Sequence, residues 1–105
     1  MDRAKGMIGM ADYILFMHDD AVSDDPNAWD AYLRTLKQNG VFEGGSEIGG
    51  GICMRKGAAA ADITKHLVGY IRVSAATIDE VKSFLSGNPH VEAGGTVEIR
   101  ELPRT

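Results

Sequence analysis

His18 closes a short apolar run and is followed at once by Asp19 and Asp20. An imidazole with an unperturbed pKa of about 6.5, set beside carboxylates, suits proton transfer at neutral pH, so His18 is the candidate catalytic acid/base. His18 shares the face of Ile14 and Phe16 by strand alternation. If Tyr13, Leu15 and Met17 face a partner, His18 points toward the helix whose apolar stripe begins at Trp29. An aromatic wall, a titratable ring and a neighbouring carboxylate would then form a small, mostly apolar pocket. Asp19, Trp29, His66 and Tyr70 are the candidate ligand-binding residues. The competing reading is a histidine half exposed at a strand end, with no chemistry.

Other constellations carry less. Asp19, Asp20, Asp24, Asp25 and Asp30 crowd one end of the sheet, but their spacing fits no calcium loop, and Asp25 before Pro26 is better used as a helix cap. His18, His66 and His90 are far apart in sequence with no cysteine pair between them, so no metal site is expected. The glycines from Gly44 to Gly51 lack the Lys-Ser/Thr and the capped helix of a phosphate cradle, and read as a flexible connection. Cys53 has Arg55 and Lys56 nearby to favour a thiolate, but no base is evident, and it reads as a spectator thiol. No cofactor is implied.

The elements that must position these groups follow from periodicity. Tyr13-Ile14-Leu15-Phe16-Met17 reads as a strand buried on both faces. Asp25-Pro26 starts a helix over 26–39, with Trp29, Tyr32, Leu33 and Leu36 on one stripe and Asn39-Gly40 at its end. Val41-Phe42-Glu43 begins a short second strand, weakened by glycine and placed at an edge; 46–66 sustains no period. Leu67 to Val73 is the third strand. Thr77-x-x-Glu80 is a capping-box spacing that opens a helix over 78–86, and Thr96 to Arg100 alternates as the last strand. Residues 1–9 show no period and are expected to be a flexible extension, leaving 10–105 as one domain.

The order βαββαβ with right-handed crossovers predicts a ferredoxin-like α+β fold: an antiparallel four-stranded sheet with two helices on one face. Strands one and three, the most apolar, should be central. Strands spaced ~4.8 Å and ~20 Å long leave an uncovered face of roughly 400 Å², comparable to the largest apolar patch a monomer usually tolerates. Sheet-to-sheet packing in a homodimer would cover it; the alternative is a solvated face with Arg72, Glu98 and Arg100 as ion pairs.

Composition narrows the partners. The 105 residues carry 11 basic and 15 acidic side chains, a net charge of −4, which is the wrong sign for nucleic acid or anionic lipid. A lone cysteine, no run of ~20 apolar residues and no signal-peptide pattern suit a reducing cytoplasm.

Several of these pieces, taken in order, resemble the YCII-related proteins, including their DGPF-type members. They are Tyr13 to Met17, the helix end Lys37-Gln38-Asn39-Gly40 before Val41-Phe42-Glu43-Gly44-Gly45, Gly69 to Val73 with Thr77-Ile78-Asp79-Glu80 behind it, and Asn88-Pro89-His90-Val91-Glu92-Ala93-Gly94-Gly95 leading into Thr96 to Arg100. The resemblance covers about residues 10–102 and implies a dimeric α+β barrel that binds a small molecule. The Asp-Gly-Pro-Phe motif is absent from 55–63, and the family's suspected histidine–aspartate pair falls on Trp29 and Gln38, neither of which moves a proton at neutral pH. Two functions remain: a small-molecule enzyme using His18, or a non-catalytic dimeric binding or accessory module.

Overall fold

The computed structural model describes residues 10–22 and 25–104; the expected extension at 1–9 lies outside the described residues. The chain runs β1 (Ala11–His18), α1 (Pro26–Gln38), β2 (Phe42–Glu47), β3 (Leu67–Ala75), α2 (Ile78–Ser83), α3 (Pro89–Glu92) and β4 (Val97–Leu102). The strands form one antiparallel sheet in the order β2-β3-β1-β4, with β1 and β3 central, which is the ferredoxin-like arrangement.

Alternation decides what each strand buries. Tyr13, Leu15 and Met17 of β1 are buried, and across from them stand Val73, Ile71 and Gly69 of β3. These side chains meet Tyr32 and Leu36 of α1 and Val81 of α2, with Val97 and Ile99 of β4 packed against the same core. The helices therefore cover the Tyr13–Leu15–Met17 face. This reverses the expectation that this set faces a partner and that His18 faces α1. The strand is apolar on both sides, so composition alone left the two assignments equal; the fully buried Leu15 at the centre of the helix-covered core separates them.

The helix caps follow the sequence closely. The Asp25 carboxylate accepts from Asn27 N at 3.0 Å with Pro26 in the first turn, and the Thr77 hydroxyl accepts from Glu80 N at 3.2 Å while the Glu80 carboxylate reaches Ala76 N. The second helix differs from expectation. It stops at Ser83 rather than 86, and after a turn at Gly87 a separate helix, α3, begins at Pro89. The cause is local: the buried Asn88 accepts from both His90 N (2.9 Å) and Val91 N (3.0 Å), making Asn88-Pro89 a helix start instead of a stop. From Gly49 to His66 no residue lies in a helix or strand, and all but Ile63 are exposed.

Tyr32 ties α1 to the end of α2. Its hydroxyl donates to Phe84 O at 2.8 Å, and burial pushes the phenol above its ordinary range, so it stays a donor at physiological pH. Tyr32→Phe removes this bond and leaves the Phe84 carbonyl unpaired. It is expected to cost about 1 kcal/mol in urea unfolding, and an unchanged midpoint would show that the link does not contribute.

Candidate functional site

The helices do not cover the whole buried side of the sheet. Where β2 meets β3, Gly45 stands opposite Ile71 and Glu47 opposite Gly69 on the helix-covered face, so the backbone there is bare. A Cβ on Gly45 would come within 2.6 Å of Tyr70 O, and one on Gly69 within 3.3 Å of Met17 Cε. The two glycines thus form the floor of an open cleft of about 830 Å³. Its side wall is Trp29, Asp30 and Leu33 of α1, Phe42 and Met17 complete the apolar lining, and Asp19, Ala21 and Val22 border it from the β1–α1 loop. The glycine cluster read as a flexible connection therefore does two things: Gly44 and Gly45 belong to β2, and the flexible reading is left to the segment beyond it.

His90 of α3 lines the same cleft. Its side chain is only 10 % exposed, and its Nε2 is buried with no hydrogen-bond partner. The ring packs against Gly95, where a Cβ would lie 2.5 Å from the His90 Cδ2 and 2.6 Å from Nε2, so a side chain at 95 and the ring cannot coexist as placed. Asp20 Oδ1 stands 3.8 Å from the same Nε2. Asp20 is itself fixed by Thr96, whose backbone N–H and hydroxyl donate to its two oxygens at 2.7 and 2.6 Å; the side-chain bond and then the backbone bond hold its carboxyl below the ordinary range. Val22 N also donates to Ala93 O at 3.0 Å, pinning the β1–α1 loop to the chain after α3.

The other predicted groups divide between two places. Asp19 and Trp29 lie in the cleft. His18 does not: its Nε2 bonds Glu98 Oε1 at 3.0 Å, and its ring meets His66 edge-on with centroids 4.8 Å apart. Glu98 also pairs with Arg100 at 3.2 Å, and the bond from His18 followed by that from Arg100 holds its carboxyl below the usual range. This cluster belongs to the uncovered face, where Phe16 stands opposite Tyr70 and Glu98, and Ile14 opposite Arg72 and Arg100. Tyr70 borders the cleft as well. Arg72 makes no pair with Glu98; it donates to Glu43 O at 2.7 Å. Among the described residues no group of three or more His, Cys, Asp or Glu side chains is placed to hold a metal ion, and Cys53 is free and exposed. The sequence offers His90 only as one of three widely spaced histidines weighed for a metal; the local signal for its placement is Asn88-Pro89, which caps a turn and fixes the residue that follows.

No protein-family model matches the chain, and no curated protein is similar to it. Two solved structures are. One is 5-chloro-2-hydroxyhydroquinone dehydrochlorinase (TftG) from Burkholderia phenoliruptrix AC1100, in complex with 2,5-dihydroxybenzoquinone: 16 % identity over 90 % of this chain and 95 % of that one, TM-score 0.54. The other is a dimeric protein of unknown function and ferredoxin-like fold from Bacteroides fragilis NCTC 9343: 16 % identity over 90 % and 97 %, TM-score 0.31. At these identities the first likeness is one of fold. Among the described residues no helix is long and apolar enough to cross a membrane.

Asp20 and Glu98 set a pH dependence. Each is more acidic folded than unfolded, so the stability it contributes is complete above its unfolded pKa and is lost as the pH falls below about 4. Thermal unfolding is therefore expected to become steeply acid-sensitive in that range. Asp20→Asn should lower the melting temperature at pH 7 and flatten the acid limb; an unaltered limb would place the sensitivity elsewhere.

Proposed function

We propose that this protein is a YCII-like small-molecule-binding protein whose site is the glycine-floored cleft, with His90, backed by Asp20, as its proton-transfer group. The carrying observation is the buried Nε2 of His90, left without a hydrogen-bond partner on a ring that lines the cleft. Burying an unpaired polar atom costs roughly 1–3 kcal/mol, and a position that retains one at a cleft wall is a site candidate. The apolar lining with a few polar groups is the ordinary character of a small-molecule site. Whether the bound molecule is turned over depends on this imidazole, since the positions of the family's suspected pair, Trp29 and Gln38, carry no proton-transfer group.

A second reading keeps His18 as the acid/base. It draws on the short His18–Glu98 bond and on the nearness of His66, with Tyr70 as a neighbour on the same face. The two are separable by a thermal-shift scan of small metabolites against the wild type, His90→Gln, Trp29→Ala and His18→Ala. The cleft reading expects stabilising compounds to lose their effect in the first two variants and to keep it in the third. Loss in His18→Ala with retention in the other two would transfer the site to the open face.

The open face supports a homodimer, as in the YCII-like reading. Ile14, Phe16 and Tyr70 are half buried there with no helix above them, and Val68 beside them is 40 % exposed. Sheet-to-sheet packing would cover them, in a cytoplasmic protein whose free thiol suits a reducing compartment. Light scattering at micromolar protein is expected to return about twice the 11.3 kDa chain mass; the mass of one chain would overturn the dimer.

A further inference from the structure

The charges around the cleft are of one sign. Every formally charged side chain in its lining is a carboxylate, namely Asp19, Asp30 and Glu47, and no lysine or arginine is among the lining residues. All three are exposed around an opening whose other walls are largely apolar. Lys37, the cation placed against a lining residue, stands 5.3 Å over the ring of Phe42 and is not itself part of the lining. Trp29 supplies a second aromatic surface, steadied by an edge-to-face contact with Tyr32 at 5.9 Å. His90, its side chain nine-tenths buried, also lines the cleft, and its buried Nε2 has no hydrogen-bond partner and stands 3.8 Å from Asp20 Oδ1.

We propose that the cleft takes a small organic cation, an amine carried on a flat apolar or aromatic body. The body packs among the apolar side chains that line the cleft, Trp29 and Phe42 among them. The ammonium is drawn by the ring of carboxylates and by the π-face of Trp29, which favours cations over neutral groups of the same size. An anion of the same shape meets three like charges and no lysine or arginine in the lining. This rests on the cleft being the ligand site, and it adds the class of ligand to that reading.

The test uses the full chain and three probes of matched size: 2-phenylethylamine, 2-phenylethanol and 3-phenylpropanoate. Binding is followed by the fluorescence of Trp29, the single tryptophan, and by calorimetry. At about neutral pH the amine is charged, and it should bind at least about tenfold more tightly than the alcohol, with the acid weakest. Raising salt from about 50 to about 500 mM should weaken the amine alone. Asp30→Asn and Glu47→Gln, both at exposed positions where the fold does not depend on the charge, should each lower amine affinity severalfold and leave the alcohol unchanged. Equal affinity for amine and alcohol, or tighter binding of the acid, overturns the inference while the cleft remains the site. Failure of all three probes to bind also overturns the inference, while the cleft reading stands or falls by the thermal-shift scan of the variants.

Discussion

β1 lies between β3 and β4 and is hydrogen-bonded on both sides, so which of its two alternating sets of side chains meets the helices determines where every later group can stand. With Tyr13, Leu15 and Met17 turned inward, α1 and α2 find a continuous apolar surface, and Leu15 and Val73 are completely shielded from water. The same choice commits Ile14, Phe16 and His18 to the other face. One constraint thus produces both a packed core and a second, uncovered surface carrying an ionic cluster. Slipping the strand by one residue would exchange the two sets and expose the core, which is why the register is strongly specified.

The cleft arises from the opposite circumstance, an absence of side chains. A core with ordinary residues at 45 and 69 would close the space between α1 and the β2–β3 edge. Glycine at both positions lets the edge strand approach closely, at the expense of side-chain packing. Around this bare floor the chain arranges polar groups by backbone means. Thr96 anchors Asp20, Asn88 starts the turn that bears His90, and Gly95 leaves room for the ring. Together these contacts fix the buried imidazole that lines it.

Much of the fold was legible in the sequence, because amphipathic periods and caps are local signals. The start of α1 at Asp25-Pro26 and the Thr77 cap follow from neighbours within one turn, and the strand order with β2 and β4 at the edges follows from the crossover rule and the apolar content of each strand. The site was less so. Asp19 and Trp29 line one cleft, but His18, expected beside them, does not; the inward face of β1 is a tertiary choice between two apolar sets, and the His18 assignment depended on it. The His90–Asp20 approach joins residues on different elements, which single-sequence spacing does not reveal. The glycines of β2 signalled a departure from ordinary packing, though not that it would be a floor.

The central claim is that ligand chemistry belongs to the cleft and to His90 rather than to the open face. Its most direct test is to follow the ring Cε1–H resonances of the chain's three histidines by NMR while a compound that alters Trp29 fluorescence is titrated in. Binding in the cleft moves the His90 resonance in proportion to occupancy while those of His18 and His66 hold their positions. Movement of His18 or His66 with His90 unmoved would contradict it.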